Sequence, residues 1–142
     1  MNIESFCADL DAHLKSEFAY KRRITVSGLG STLDASRKEL WLYFRYPTDD
    51  YLSKETLVIA VFFFREKRKG HGTRLIAFLA SIAHKYNYRF IYIENIGELS
   101  RAFALKHGFE LYTPTGYASE NAIIEVDEFR RRLSASAPVV DQ

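Results

Sequence analysis

The sequence predicts an α/β (or α+β) fold in which helices cover one sheet. Two features of the 142-residue chain predict this class. Segments with a helical spacing of apolar residues alternate with short apolar strands, and a central strand-helix-strand unit precedes a hairpin-like end. A chain of this length accommodates a single domain. We expect that domain over residues 1–133 and a flexible tail over residues 134–142.

The first predicted element is an amphipathic helix. Phe6, Leu10, Leu14 and Phe18 recur at a constant spacing among charged side chains, so they form one apolar stripe on a helix. The acidic and basic residues between them face the solvent. This helix is expected to end before Tyr20, where the composition changes.

Three segments in the first half of the chain have the composition of strands. Residues 24–26 are rich in β-branched side chains and lead into a glycine-containing, turn-rich loop. Leucine and phenylalanine alternate with other residues over 40–44, which predicts a second strand. Residues 57–64 (LVIAVFFF) form the most hydrophobic run of the chain, which predicts a central strand buried on both faces.

The second half of the chain alternates helices with strands. Apolar residues from Leu75 to Ala83 fall at helical spacing behind a basic loop, so a helix follows the central strand. The further predicted elements are a strand over 89–93, a short helix over 99–107 ended by Gly108, strands over 109–112 and 122–126, and a last helix over 128–133 capped by Asp127.

The composition excludes several classes of protein. The chain has 20 lysines and arginines and 18 acidic residues, which gives a net charge of +2. A charge this small is not typical of a protein that coats nucleic acid. The single cysteine, Cys7, cannot form an internal disulfide or a thiolate metal site, and the scattered histidines do not suggest a metal. No apolar run approaches the roughly 20 residues needed to span a bilayer. We therefore expect a cytoplasmic protein with no metal and no membrane partner, in which Cys7 packs as an apolar residue.

A basic loop between the central strand and the next helix carries the strongest functional signal. Lys67, Arg68 and Lys69 stand directly before Gly70 and Gly72. Glycines let the backbone approach a ligand, and the start of a helix offers unpaired N–H groups and a partial positive charge. The loop therefore predicts a site for an anion such as a pyrophosphate, although a solvated run of charges is the plain alternative. It lacks the Gly-Lys-Ser/Thr of a Walker A motif and the third glycine of a dinucleotide fingerprint.

This loop resembles the acyl-CoA-binding motif of the GNAT N-acetyltransferase superfamily, written Arg/Gln-x-x-Gly-x-Gly/Ala. The segment reads Lys-Arg-Lys-Gly-His-Gly over residues 67–72 and continues through Thr73 and Arg74 into the helix. A second match is Lys-His-Gly-Phe over residues 106–109, where the family has Gly-Phe between a short helix and the next strand. The resemblance implies a GNAT-like mixed, mostly antiparallel sheet with splayed middle strands and flanking helices.

The resemblance also implies a site for acetyl-CoA as the co-substrate. In the family the thioester enters the cleft between the splayed strands, main-chain groups of the first strand pair with the pantetheine, and the amides of the loop, here residues 69–73, hold the pyrophosphate. Arg68 or Arg74 then contacts further phosphate oxygens. The implied cofactor-binding residues are Phe62, Phe63, Phe64, Lys67, Arg68, Lys69, Gly70, His71, Gly72, Thr73 and Arg74, with His71 at the variable position of the motif.

The implied reaction is direct attack of a primary amine on the acetyl carbonyl. A lysine-like amine with a pKa of about 10.4 needs a base at neutral pH. Glu94 and Glu55 are the candidate bases. The acid departs from the family pattern, because Ala104 stands where many members have a tyrosine. The proton for the departing thiolate would then come from a nearby tyrosine, such as Tyr112 or Tyr117, or from the solvent. The amine acceptor is expected to be a small molecule or a protein, and the chain a monomer or homodimer.

Two other functions stay open at this point. A CoA-binding module without catalysis fits the departure at Ala104. Nucleic-acid binding is the other alternative, which rests on the basic clusters at residues 21–23 and 130–132. This second alternative ranks lower, because the chain has neither a strongly basic total nor a recognised nucleic-acid motif.

Overall fold

The computed structural model describes residues 2–28, 32–46, 52–113 and 119–136. Tyr117 and the part of the expected tail beyond residue 136 lie outside these ranges. The strands are β1 (Thr25–Ser27), β2 (Thr32–Arg37), β3 (Leu40–Arg45), β4 (Thr56–Phe64), β5 (Phe90–Ile93), β6 (Glu110–Tyr112) and β7 (Asn121–Glu125). The helices are α1 (Ile3–Phe18), α2 (His71–Ser81), α3 (Ala83–Tyr86), α4 (Glu98–Lys106) and α5 (Val126–Ser136).

The seven strands form one mixed sheet in the order β1-β2-β3-β4-β5-β7-β6. Neighbouring strands are antiparallel except for β4 and β5, which are parallel because α2 and α3 carry the chain across between them. The predicted mixed, mostly antiparallel sheet with flanking helices is therefore confirmed.

The parallel pair at the centre of the sheet separates halfway along β4. Residues Thr56 to Ile59 pair with β5, and the amide of Glu94 donates to the carbonyl of Ile59 at 3.0 Å. Beyond this point β4 continues to Phe64 next to β3 alone. A bulge marks the same place, because Phe44 faces Ile59 whereas Tyr43 faces Val61. The predicted splay of the middle strands is thus present, and we call the space beside residues 60–64 the gap.

The hydrophobic core lies between the sheet and the helices. Phe6, Leu10 and Leu14 of the α1 stripe are at most 1% exposed, and Cys7 is fully buried beside them, as predicted. The buried carboxylate of Asp11 accepts the amides of Ile24 at 2.7 Å and Thr25 at 3.1 Å. These bonds fix α1 to the first strand of the sheet. The opposite face, which we call the outer face, carries the alternate side chains of β1 to β4.

The structure corrects two predicted boundaries. Residues 32–37, expected in a loop, form β2, because Leu33 and Ala35 alternate inward between polar residues. The last helix begins at Val126 rather than at residue 128 and continues to Ser136. Residues 134–136 are therefore helical rather than part of a tail. Ion pairs from Glu128 to Arg131 and Arg132, one turn apart, support this extension.

Among the helices of the described residues, none combines the length and the apolar character that crossing a membrane requires.

Candidate functional site

The loop between β4 and α2 has the backbone geometry of an anion cradle. Arg68 and Gly70 have positive φ values of 61° and 80°, separated by Lys69 with a negative one. Such alternation turns successive amide N–H groups to the same side of the chain. The first helical bond of α2 runs from the amide of Arg74 to the carbonyl of Gly70, so the preceding amides of the first turn have no partner within the helix. Loop and helix together offer several converging donors.

A cavity of about 510 Å³ lies against this loop, between β4 and α4. It is lined by Phe62, Phe64, Glu66, Lys67, Arg68, Lys69, Gly70, His71, Gly72, Thr73, Leu99, Ser100, Ala102, Phe103, Lys106 and His107. The structure thus brings together nine of the residues implied by the motif. The α4 residues were missed, because nothing in the sequence marks this helix as the opposite wall.

Main-chain groups of Phe62 point into the gap. In an antiparallel pair, the N–H and C=O groups of successive residues point alternately toward and away from the partner strand. The amide of Arg65 donates to the carbonyl of Glu39, at the turn before β3, at 2.8 Å. The main-chain groups of Phe62 and Phe64 therefore point away from β3, toward the gap. The carbonyl of Phe64 accepts the ammonium group of Lys67, so Phe62 is the residue with both groups available.

Phe63 does not join its two neighbours in the cavity. Its side chain lies on the outer face and is 45% exposed, opposite Trp41 of β3. The ammonium nitrogen of Lys67 lies 4.5 Å from the centre of the Phe63 ring. Of the three phenylalanines implied by the motif, Phe62 and Phe64 line the cavity and Phe63 faces the other side of the sheet.

Gly72 is required by close packing at the wall of the cavity. A Cβ atom at this position would lie 3.1 Å from Phe62 Cζ and 3.1 Å from Phe103 Cε1. The two rings contact each other with centroids 5.3 Å apart. Any side chain at Gly72 therefore requires these rings to shift by a few tenths of an ångström. This is a packing reason for the second glycine of the motif, which the sequence alone did not provide.

Glu17 at the end of α1 holds the loop in place, although no sequence signal pointed to it. Its carboxylate lies 2.6 Å from His71 Nδ1 and accepts Arg74 Nε at 2.9 Å. Arg74 also donates from Nη2 to the carbonyl of Lys69 at 2.7 Å. The hydrogen bonds from Arg74 and His71 lower the pKa of Glu17 to about 2. Arg74 is consequently engaged with α1 and does not line the cavity.

Thr73 and His107 join α2 to α4 across the cavity. Thr73 Oγ1 lies 2.9 Å from His107 Nε2, and the His107 ring packs on Phe103 with centroids 4.6 Å apart. Burial, with a smaller contribution from Lys106, lowers the pKa of His107. A neutral imidazole at physiological pH therefore faces the cavity.

The two candidate bases lie at opposite ends of the β4–β5 pair. Glu94 follows β5 at the point where the strands separate, and its carboxylate pairs with Arg45 across the outer face. Glu55 precedes β4, where its carboxylate lies 3.7 Å from the Arg89 guanidinium. Glu55 lies four residue steps along the chain from Ile59, which at ~3.3 Å for each step is about 13 Å. The structure brings Glu94 to the gap and does not bring Glu55 there.

Comparison with known proteins identifies the fold. No family model and no curated protein matches the sequence. Among solved structures, the apo form of FdhC, a nucleotide-linked sugar GNAT, is 8% identical with a TM-score of 0.54, covering 99% of this chain and 90% of that one. The chain has the GNAT fold.

Two further solved structures that are similar to this chain have lower TM-scores. An acetyltransferase from Thermus thermophilus is 17% identical, covering 79% of this chain and 69% of that one, with a TM-score of 0.49. The PaiA N-acetyltransferase from Thermoplasma acidophilum, in complex with coenzyme A, is 11% identical, covering 86% and 70%, with a TM-score of 0.49.

In this GNAT fold a side-chain amide fixes where β5 turns away from β4. Asn95 adopts a positive φ of 57°, and its amide donates to Asn121 Oδ1 at 2.7 Å. Asn121 is buried and donates from Nδ2 to the carbonyls of Tyr112 and Ser119, each at 3.1 Å. The chain after Glu94 is thereby held on the β7 side of the sheet. This leaves the gap beside β4 open.

The position of the usual GNAT tyrosine is occupied by a buried alanine. Ala104 lies on α4 and is 0% exposed. Its side chain is a methyl group, which offers no hydroxyl group as an acid. Tyr112 lies on β6 with 37% exposure, packed edge-to-face with Tyr92 at a centroid distance of 6.1 Å. Tyr112 does not line the cavity, and Tyr117 lies outside the described residues.

The two basic clusters are engaged with acidic and carbonyl groups. Arg131 and Arg132 both pair with Glu128 on α5. Arg23 donates to the carbonyl of Thr25 at 3.0 Å and lies 3.6 Å from the Glu4 carboxylate. Part of the charge in each cluster is thus neutralised within the chain.

Proposed function

We propose that this chain is an acetyl-CoA-dependent N-acetyltransferase that transfers the acetyl group to a primary amine. The observation that carries the proposal is the juxtaposition of two features: a loop whose amides converge beside a helix start, and a gap in the sheet that begins at the end of the same strand. Acetyl-CoA carries a diphosphate and, further along the same molecule, a thioester arm. The loop suits the diphosphate, and the neighbouring gap suits the thioester arm.

The residues around the cavity fit the parts of such a ligand. The amides of residues 69–73 and the partial positive charge of α2 suit the diphosphate, with Arg68 and Lys69 adding charge. Phe62 offers one N–H and one C=O to the amides of the pantetheine arm. The rings of Phe62 and Phe103 exclude water from its apolar carbons. The ligand itself supplies an activated acetyl group as a thioester.

Glu94 takes the role of base in this proposal. It lies where the strands separate, on the outer face of the sheet, opposite the cavity. An amine that approaches from the outer face meets the gap and this carboxylate together. Glu94 then accepts a proton from the ammonium group, directly or through a water molecule, so that the neutral amine attacks. Much of the rate enhancement comes from holding the two reactants in line.

A CoA-binding module without catalysis is the second candidate. Two observations favour it: Ala104 supplies no proton to a departing thiolate, and Glu94 is ion-paired with Arg45. The enzyme remains our proposal, because a thiolate leaves readily and solvent can protonate it.

Purified protein with acetyl-CoA and a panel of primary amines tests this choice. We expect saturable release of free thiol that depends on the amine, together with calorimetric binding of CoA. Binding of CoA without release for any amine would support the module instead. Absence of both binding and release would overturn the CoA site itself. The Gly97→Ala variant is a suitable control, because a Cβ atom added at this position would have no neighbour within 4 Å.

A further inference from the structure

The outer face of β2, β3 and β4 presents an aromatic surface beside the gap. Asp34, Tyr43 and Val61 are cross-strand neighbours in one row, and Trp41 and Phe63 are neighbours in the next. Trp41 is 49% exposed and Phe63 45%. Large apolar side chains exposed next to each other indicate a binding surface.

Asp34 gives this surface a negative charge. Its Oδ1 accepts the indole N–H of Trp41 at 3.1 Å, and it has no cationic partner among the described residues. A recess of about 300 Å³ beside it is lined by Val26, Ser27, Gly28, Thr32, Asp34 and Tyr43. A carboxylate at the edge of aromatic rings is the environment that an alkylammonium group prefers.

The chain itself shows that an ammonium group packs on this face. Lys67 reaches over from the loop and lies 4.5 Å from the centre of the Phe63 ring. The neighbouring Trp41 and Tyr43 rings, with the Asp34 carboxylate, present the same chemistry without a cation of the described chain in contact with them. A ligand with an ammonium group is therefore complementary to this part of the face.

The distance from the recess to the gap restricts the ligand. Asp34 and Val61 lie two strands apart in one row, which is roughly 10 Å at a strand spacing of ~4.8 Å. Val61 is next to the point where β4 and β5 separate. A molecule held at Asp34 reaches the gap with a second nitrogen if an extended chain of about this length joins the two.

We propose that the Asp34 recess binds one ammonium group of a linear α,ω-diamine whose other amino group lies at the gap. This inference rests on the proposed function, since it identifies the class of acceptor. The recess therefore favours a substrate with an ammonium group at each end. A monoamine of the same length has no second ammonium group to pair with Asp34, so it should bind more weakly.

Fluorescence of Trp41 tests the recess directly, because this residue is the only tryptophan in the chain. The probes are the α,ω-diamine with seven carbons and the monoamine with seven carbons, added without acetyl-CoA. We expect a saturable change with the diamine at a concentration at least about tenfold lower than with the monoamine. In the Asp34→Asn variant, which can still accept the indole N–H, this preference should disappear. Equal affinity for the two probes, or an unchanged preference in Asp34→Asn, would overturn the proposal.

Matched controls separate this inference from the proposed function. Glu110→Gln removes the same charge from β6, at the far edge of the sheet, and should leave the preference for the diamine unchanged. Diamine binding without acetyl transfer would support the recess and contradict the transferase. Acetyl transfer that is insensitive to Asp34→Asn would support the transferase and overturn the recess. A Trp41 signal that depends on protein concentration rather than on diamine would indicate a second copy on this face and would also overturn it.

Discussion

The two halves of β4 are both rich in apolar residues, but they have different surroundings. Residues 56–59 pair with β5, residues 58 and 59 also pair with β3 on the other side, and each of the four residues is at most 1% exposed. Residues 61–64 pair with β3 alone, and Phe63 is 45% exposed. The first half therefore anchors the sheet, whereas the second half borders the gap. β4 has a neighbouring strand on both sides only as far as β5 runs beside it, and β5 ends at Ile93.

The largest expected effect compares carboxylates at the two ends of the β4–β5 pair. Glu94→Gln removes the proposed base at the open end, so kcat should fall by about a hundredfold, with the KM for acetyl-CoA little changed. Glu55→Gln, at the closed end, should leave both constants unchanged. Steady-state kinetics with a reactive amine measure this. A fall in kcat for Glu55→Gln and none for Glu94→Gln would contradict the assignment of the open end.

The same substitution in each half of β4 compares their contributions to stability. Val58 is fully buried between two strands, so Val58→Ala should lower the free energy of unfolding by about 2.5 kcal/mol. Val61 lies beside the gap, and Val61→Ala should cost less than about 1 kcal/mol. Denaturant unfolding of the two variants checks this difference. Equal losses would mean that the second half is packed as tightly as the first.

Gly72→Val should obstruct the cavity beside the second half of β4 and leave the pairing of the first half with β5 unchanged. The new side chain displaces the Phe62 and Phe103 rings, and overpacking of about 2 kcal/mol corresponds to a thirtyfold weaker affinity for CoA. Calorimetry measures the affinity, and thermal unfolding shows whether the fold is retained. Gly72→Ala is the milder variant, for which we expect a smaller change in the same direction. CoA affinity equal to that of the original chain in both variants would remove Gly72 from the site.

The smallest expected effect concerns the contact from α1 to the loop. The pKa of Glu17 is lowered from 4.5 to about 2, which corresponds to at most about 3 kcal/mol. Arg74 is half exposed and glutamine retains an acceptor, so Glu17→Gln should cost about 1 kcal/mol at neutral pH. The pair stabilises the fold above pH 4.5, and this contribution is lost as the pH falls toward 2.

Unfolding measured between pH 7 and pH 2.5 tests the Glu17 prediction. The stability of the original chain should fall more steeply with acid than that of Glu17→Gln. Glu110→Gln, on exposed β6, is the matched control and should follow the original chain. Parallel curves for the original chain and Glu17→Gln would show that the ion pair does not stabilise the loop.

Local patterns predicted the sheet class, most of its elements and the loop. Apolar spacing identified α1, β3 and β4, because burial on one face or on both leaves a periodic trace. β2 was missed, since its inward residues Leu33 and Ala35 stand among polar ones near glycines. Two inward apolar residues are a weak indication of a strand, and the neighbouring glycines and polar residues favoured a loop instead.

Long-range contacts at the site left no local trace. Glu17 contacts His71 and Arg74 from an element more than fifty positions away in the sequence. The wall formed by α4 and the bend held by Asn121 depend equally on tertiary packing. Alternation along β4 could have separated Phe63 from Phe62 and Phe64, but the bulge at residue 60 makes that inference depend on the pairing with β3.

Amide hydrogen exchange at Phe62 tests the central claim most directly, since its main chain should pair with the pantetheine arm in the gap. In the free protein the Phe62 amide should exchange much faster than the amide of Ile59, which lies in the paired half. Saturating CoA should slow exchange at Phe62 by at least about tenfold and leave Ile59 little changed. CoA that binds without altering exchange at Phe62 would contradict the account.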